Sequence, residues 1–227
     1  MQEAWLKAAN LDGHYKAYDV QSADLAAFTA RVRAGDTAYP VHGFNVTVPH
    51  KESIIAHLDA LAPQAKRLGA VNTVRVSGGK LTGFNTDGLG FLAPLVKPNS
   101  LYRASLDAGR PALLIGAGGA ARAVLSALLT TNVPLVMVLN RTRARAEELV
   151  HTLGSGRTTV VDWADRADAV AAAGLIVNST SLGMKGQPAL DINLASVASG
   201  SCVYDIVYNP LETALLASAR ARGLSVL

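Results

Sequence analysis

A lysine and an aspartate stand out among the polar residues, because each belongs to a motif that could place it in a reaction site. Lys51 is the last residue of the stretch NVTVPHK, which begins at Asn45. An apolar segment ends here with the hydroxyl of Thr47 and the ammonium of Lys51. Reduction of a ketone builds negative charge on oxygen, and a nearby ammonium can stabilise that charge and supply a proton. Asp87, in the stretch NTDG, could hold such an ammonium charged and oriented. Taken singly, Lys51 is more typical of a surface helix and Asp87 of a helix N-cap.

A glycine-rich turn lies between an apolar stretch and an amphipathic one, over residues 116–121. It matches the pattern GxGxxG/A, in which glycines permit a tight turn and a close approach of the backbone to a pyrophosphate. The first N–H groups of the following helix favour that anion. The alternative is a glycine turn used only for packing, but the strand-turn-helix context favours dinucleotide binding. The predicted cofactor contacts are Gly116, Ala117, Gly118, Gly119, Ala120 and Ala121.

The end of the next predicted strand indicates which dinucleotide is bound. An NAD site usually carries an acidic residue there, about 20 residues after the glycines, to bind the ribose 2′-hydroxyl. This chain has Asn140, Arg141 and Thr142 instead, with Arg145 following shortly after. Guanidinium groups can bind a 2′-phosphate through charge-assisted hydrogen bonds, so these four residues favour NADP as the cofactor. The alternative is that both arginines are solvated residues at a helix start.

A further polar loop, from Asn178 to Met184, follows another apolar stretch and combines small polar groups with a glycine. Such a loop can pass close to a cofactor, and Thr180 and Ser181 are its predicted contacts. On local grounds alone a capped turn explains the same residues equally well.

Composition narrows the class of protein. Half of the 227 residues are hydrophobic, so a sizeable core can be buried. The net charge of +4 comes from scattered basic residues, and only 5% of residues are aromatic. This pattern does not indicate a nucleic-acid partner, and the positive charge fits a small anionic ligand better.

Cysteine and histidine usage predicts that the protein contains neither an intrachain disulfide nor a metal site. Cys202 is the only cysteine, and the five histidines show no metal-ligand spacing. The sequence has no apolar run of 18 residues and no signal peptide at its start, so we expect a cytoplasmic protein without a membrane span.

The predicted fold is α/β, with an N-terminal α/β domain of mixed sheet over residues 1–98 and a Rossmann-type domain over residues 99–227. Apolar periodicity and turn signals predict the elements of the first domain. They are helices 2–9, 24–34 and 49–61, strands 14–20 and 43–48, and a hairpin of strands 71–76 and 80–84. A helix over residues 88–95 follows.

Strands and helices alternate regularly after the predicted boundary, which is typical of parallel βαβ units that bind ligands at the carboxyl ends of their strands. The predicted strands are 112–115, 135–139, 158–161, 175–178 and 201–207, with a further strand opening at 223–227. The predicted helices are 120–129, 143–153, 165–173 and 211–222.

Taken together, the motifs resemble those of the shikimate dehydrogenase family. NVTVPHK, GAVNT from Gly69, FNTDGLG from Phe84, GAGGAAR, NRT and NSTSLGM occur in the family's order along nearly the whole chain. The resemblance implies NADP-dependent, reversible reduction of 3-dehydroshikimate to shikimate in aromatic amino-acid biosynthesis. It also implies a substrate domain and a Rossmann domain that flank a cleft.

The resemblance also implies roles for particular residues. Lys51 and Asp87 would be the catalytic pair, and Lys51 the group that moves the proton. The residues implied in substrate binding are Thr47, Lys51, Asn72, Asp87 and Tyr208, and Ile206 would lie beside the nicotinamide. Without the resemblance, Tyr208 is more typical of an aromatic residue at a strand end. The expected partner is the small-molecule substrate, and the expected assembly is a monomer or a homodimer.

Two family segments have no counterpart in this sequence. Family members begin with a serine-containing GxPIxHSxSP segment that binds the substrate carboxylate, and they end with a GxxMLxxQ helix. If the polypeptide is this short, we expect weak substrate binding and low activity. The missing segments favour one alternative, a ligand-sensing module that keeps the fold without the reaction. A second alternative, independent of those segments, is a quinate/shikimate dehydrogenase of relaxed specificity.

Overall fold

The computed structural model describes residues 2–38, 40–97 and 109–227, in which the strands form two separate sheets. The helices of the first half are α1 (Gln2–Ala8), α2 (Leu25–Ala34), α3 (Pro63–Leu68) and α4 (Asp87–Val96). Its strands are β1 (Gly43–Asn45), β2 (Ala60–Leu61), β3 (Thr73–Ser77) and β4 (Lys80–Phe84). Their order is β1-β3-β4-β2, with β2 parallel to β4 and the other pairs antiparallel. The predicted mixed sheet is therefore confirmed.

The hairpin between β3 and β4 is also confirmed. Its turn residues Gly78 and Gly79 have φ values of 55° and 72°. Two positive φ angles in a two-residue loop match the twist of the flanking strands, and glycine adopts them without steric cost. Because Thr73 pairs with Phe84 in this hairpin, Asn72, just before β3, lies beside the residues that follow β4.

Two predictions for the first half are wrong. Residues 14–20 form no strand, since nearly all of them are exposed and none pairs with a sheet edge. The predicted helix 49–61 is replaced by turns, a short 3₁₀ helix (Ser53–His57) and β2. The N–H groups of Asp59 and Ala62 donate to the carbonyls of Leu81 and Gly83, both at 2.9 Å. Those sheet hydrogen bonds take the place of the helical ones.

The second half has the architecture expected from its regular alternation of strands and helices. Its strands are β5 (Ala112–Ile115), β6 (Val136–Leu139), β7 (Thr158–Val161), β8 (Leu175–Asn178), β9 (Cys202–Asp205) and β10 (Ser225–Val226). Its helices are α5 (Gly119–Leu128), α6 (Arg143–Leu153), α7 (Arg166–Ala172) and α8 (Ala214–Ala221). All strand pairs are parallel, in the order β10-β9-β8-β5-β6-β7. This is the Rossmann strand order, whose switch point lies between β5 and β8.

Strands β5, β6 and β8 consist of short, mostly apolar runs because helices cover both faces of the sheet. Every residue of the three strands is buried. Leu114 belongs to one core cluster, whereas its neighbours Leu113 and Ile115 belong to the cluster on the opposite face. Such burial on both faces explains why the sequence predicted these strands well. The predicted domain boundary between residues 98 and 99 falls outside the described residues and stays a prediction.

Helix α4 of the first half packs against helix α5 of the second half. A Cβ built on Gly88 would lie 3.2 Å from the carbonyl oxygen of Ala123, so the helices approach closely at this point. Phe91 and Leu95 of α4 share a core cluster with Val124 of α5. Because α4 begins at Asp87 and α5 begins at the glycine turn, this packing brings the two motifs to the same side of the molecule.

The Cys202 thiol is expected to be unreactive in the folded protein. Burial raises its pKa to about 12, so only about one thiol in ten thousand would be ionised at pH 8. The side chain is also fully buried in β9. A thiol reagent such as Ellman's reagent should label Cys202 only after unfolding. Stoichiometric labelling of the native protein, faster than its unfolding, would contradict this expectation.

Candidate active site

Lys51 and Asp87 form an ion pair. Lys51 Nζ lies 2.6 Å from Asp87 Oδ2, and the two side chains are 15% and 25% exposed. Lys51 lies in the turns after β1, where its carbonyl accepts a hydrogen bond of 2.7 Å from Val71 N–H. Asp87 is the first residue of α4, where the helix dipole favours a negative charge. The fold therefore brings together two residues that are 36 positions apart in the chain.

Asn72 binds the second oxygen of Asp87. Its Nδ2 donates to Asp87 Oδ1 over 2.6 Å, while its Oδ1 accepts from Thr86 N–H over 3.0 Å. A backbone N–H can only donate, so this contact fixes the orientation of the Asn72 amide. Both carboxylate oxygens of Asp87 are thus held by side chains, one by Lys51 and one by Asn72.

Two residues that the sequence analysis did not assign support this arrangement. Asn85 is buried, accepts from Asp87 N–H over 3.0 Å and donates to the carbonyl of Ala70 over 3.1 Å. Thr73 Oγ1 donates to Asn72 Oδ1 over 2.9 Å. The Asn85 contact is an Asx-turn, which an asparagine two residues before a helix start could have indicated.

The glycine turn meets the expectations for a dinucleotide site. Gly116 has a φ of 112°, and a Cβ built on it would lie 2.7 Å from Ser179 Oγ. Apart from its chain neighbours, no described residue has a heavy atom within 4 Å of a Cβ built on Gly118, so the backbone there faces open space. The same construction on Gly119 would lie 3.3 Å from Lys51 Cβ. The N-terminus of α5 is therefore next to the Lys51–Asp87 pair.

Two guanidinium groups without a partner among the described residues follow β6. Arg141 and Arg145 are exposed, and neither side chain has a hydrogen bond or ion pair to the described part of the chain. Arg143 lies between them and forms ion pairs with Glu147 at 2.7 Å and with Asp162 at 2.6 Å. These contacts raise the pKa of Arg143, with the Asp162 hydrogen bond the largest cause. Asn140 Nδ2 donates to the carbonyl of Thr142 over 2.8 Å and shapes the turn.

The loop after β8 lies against the glycine turn. Ser179 Oγ donates to the carbonyl of Ile115 over 2.7 Å. Thr180 Oγ1 donates to Asn178 Oδ1 over 2.7 Å, and Ser181 is exposed. Ile206 follows the neighbouring strand β9, and its N–H donates to the carbonyl of Asn178 over 3.1 Å. The predicted cofactor residues of both strands therefore lie at the carboxyl edge of the sheet, beside the switch point.

Among the described residues, two predicted substrate residues, Thr47 and Tyr208, form no hydrogen bond with the side chain of Lys51 or Asp87. Thr47 is exposed, and Tyr208 is 74% exposed. Among the described residues, the side chain of Tyr208 makes no hydrogen bond or ring contact. Their roles stay predictions.

The described ranges contain no group of three or more His, Cys, Asp or Glu side chains that could hold a metal ion. No helix within them is long and apolar enough to span a bilayer.

Comparisons with known proteins point to one family. Residues 1–74 match the model of a shikimate dehydrogenase substrate-binding domain, and residues 103–185 match the shikimate / quinate 5-dehydrogenase model. Shikimate dehydrogenase (NADP(+)) of Paramagnetospirillum magneticum is 46% identical over 223 residues, which is 96% of this chain and 77% of that protein.

Two solved structures are similar in fold and sequence. Shikimate 5-dehydrogenase of Thermus thermophilus, in complex with NADP(H) and shikimate, has a TM-score of 0.80 and 37% identity. The match covers 98% of this chain and 78% of that one. Quinate dehydrogenase of Corynebacterium glutamicum, in complex with NAD, has a TM-score of 0.81 and 32% identity, over 99% of this chain and 80% of that one.

Proposed function

The chain belongs to the shikimate dehydrogenase family, and we propose that it catalyses the reversible, NADP-dependent reduction of 3-dehydroshikimate to shikimate. The observation that carries the proposal is the position of the Lys51–Asp87 pair next to Gly119, where the helix of the dinucleotide turn begins. A proton donor and a nucleotide site side by side are what the reduction of a ketone requires.

The nucleotide site fits NADP on the geometry of this chain. The glycine turn, the open space over Gly118 and the N–H groups at the start of α5 would hold the pyrophosphate. Arg141 and Arg145 would bind the 2′-phosphate, since neither guanidinium is committed elsewhere in the described residues. We propose the remaining predicted contacts, Asn140, Thr142, Thr180, Ser181 and Ile206, as parts of the same site.

Lys51 would supply the proton. NADP, when bound, donates or accepts the hydride. In the reductive direction the Lys51 ammonium would hydrogen-bond to the ketone oxygen and give it a proton as negative charge develops there. Asp87 would keep Lys51 oriented, and Asn72 would hold Asp87 in place. We propose Thr47, Asn72 and Asp87 as the contacts to substrate hydroxyls and Tyr208 as a further residue on the substrate side of the site.

The test is a spectrophotometric assay of NADP reduction on the purified protein, with shikimate and quinate compared and NAD tried in place of NADP. We expect the highest kcat/KM for shikimate with NADP. Comparable rates with quinate would favour the relaxed-specificity alternative, which the similarity to a quinate dehydrogenase supports. Calorimetric binding of shikimate without any hydride transfer would overturn the proposed activity in favour of a ligand-sensing module.

We also propose a cytoplasmic location and a monomeric or homodimeric assembly. Support for the location is the reaction itself, which uses a diffusible cofactor and a small diffusible substrate. Light scattering coupled to size-exclusion chromatography measures the assembly.

A further inference from the structure

Asp205, the last residue of β9, is a buried carboxylate to which the proposed reaction assigns no role. It is only 5% exposed, and side chains or backbone bind both of its oxygens. Oδ1 accepts from Asn178 Nδ2 over 3.0 Å and from Val207 N–H over 3.1 Å. Oδ2 accepts from Thr213 Oγ1 over 2.7 Å. All three partners donate, so a carboxylate, which only accepts hydrogen bonds, satisfies all of them.

Asn178, which donates to Asp205, also holds the loop after β8 through hydrogen bonds. Asn178 is fully buried, and its Oδ1 accepts from both the N–H and the hydroxyl of Thr180, over 3.0 and 2.7 Å. Its Nδ2 also donates to the carbonyl of Leu182 over 3.1 Å. The shape of the loop with Thr180 and Ser181 therefore depends on the position of the Asn178 amide, which Asp205 holds.

The second partner belongs to the segment after β9. Val207 N–H lies between Ile206, a proposed nicotinamide neighbour, and Tyr208, a proposed substrate contact. One carboxylate oxygen thus holds the last residue of β8 and the second residue after β9 at the carboxyl edge of the sheet. The hydrogen bond from Ile206 N–H to the carbonyl of Asn178 joins the same two segments through the backbone.

A carboxylate at this position has an energetic cost. Burial raises the pKa of Asp205, while hydrogen bonds from Thr213, Val207 and Asn178 lower it. A buried charge without a salt-bridge partner is tolerated only where hydrogen bonds compensate for its lost hydration. An apolar residue in β9 would avoid that cost, but it would leave the Val207 N–H without its acceptor.

We propose that Asp205 is a positioning residue that fixes the loop carrying Thr180 and Ser181 relative to the segment carrying Ile206 and Tyr208, and so sets the affinity for the nicotinamide cofactor. The inference rests on the proposed function, because it takes those four residues as contacts of the NADP and substrate sites.

The test compares NADPH affinity, measured by fluorescence, in three variants. Asp205→Ala removes all three contacts and is expected to weaken binding about tenfold or more, since small displacements of positioned groups cost up to about a hundredfold. Asp205→Asn can keep its carbonyl oxygen toward Asn178 and Val207, so its affinity should stay within about threefold of the original. Thr213→Val is the matched control, because it loses the Oδ2 contact and a helix cap but leaves both Oδ1 contacts.

Melting temperatures separate positioning from stability. All affinities are measured well below the lowest midpoint of the set, so that every variant is folded. Weaker NADPH binding by Asp205→Ala than by Thr213→Val supports the proposal, and equal binding by the two overturns it. Should Asp205→Ala not fold, Asn178→Ser breaks the same contact from the loop side, and unchanged NADPH affinity in that variant overturns the proposal.

The binding measurement does not depend on turnover. If the unmodified protein binds NADPH but oxidises neither shikimate nor quinate, the proposed reaction fails while the variant comparison still decides the role of Asp205. If the protein is active and Asp205→Ala binds NADPH as tightly as Thr213→Val does, only the inference about Asp205 fails.

Discussion

Replacing Lys51 by alanine is expected to lower kcat about 10²- to 10⁴-fold, the usual effect of losing a proton-transfer group. The substitution removes the ammonium that lies 2.6 Å from Asp87 but keeps the Cβ that faces the glycine turn. The Cβ beside Gly119 is therefore kept, and NADPH affinity should change little. Steady-state rates of shikimate oxidation, together with NADPH fluorescence titrations, measure the two quantities.

Lys66→Ala is a suitable control for the loss of a positive charge, because Lys66 is an exposed lysine in α3 of the same half of the molecule. We expect it to retain nearly full turnover. The assignment of Lys51 fails if Lys51→Ala turns over at a rate close to that of the control.

Replacing both Arg141 and Arg145 by alanine is expected to narrow the preference for NADPH over NADH by about ten- to a hundredfold. A hydrogen bond to a charged group contributes about 1.5–3 kcal/mol, and only NADPH carries the 2′-phosphate that would receive it. Because both arginines are exposed, solvent screening reduces their combined contribution to about that of one such bond. The ratio of the kcat/KM values for the two cofactors is the appropriate measurement, since a general loss of stability lowers both alike.

Arg143 provides an unusually close control for this experiment, since it lies between the two arginines. Its guanidinium is already paired with Glu147 and Asp162, so Arg143→Ala should leave the cofactor ratio nearly unchanged. An unchanged ratio in the double variant, or an equal change in Arg143→Ala, would contradict the phosphate-binding role.

The success of prediction differed between the two halves for a physical reason. In the second half, strands such as Ala112–Ile115 are covered on both faces, so their local composition alone identifies them. In the first half, residues 14–20 have the composition of a strand, but nearly all of them are exposed and they pair with no strand of the described sheets. Residues 49–61 have helix signals, but the hydrogen bonds of Asp59 and Ala62 to β4 outcompete them.

Sequence alone determined the residue types of the candidate site, the order of its motifs and the family they indicate. It identified Lys51, Asp87 and the glycine turn because each has a recognisable local pattern. Only the tertiary structure decided that Lys51 contacts Asp87, that Gly119 lies beside them, and that Asp205 holds Asn178. These contacts join residues far apart in the chain, and which strands and helices become neighbours depends on how the two sheets and the helices between them pack. Local propensity carries no information about that packing, which is why Asp205 falls within a predicted strand while its hydrogen-bond partners are visible only in the folded chain.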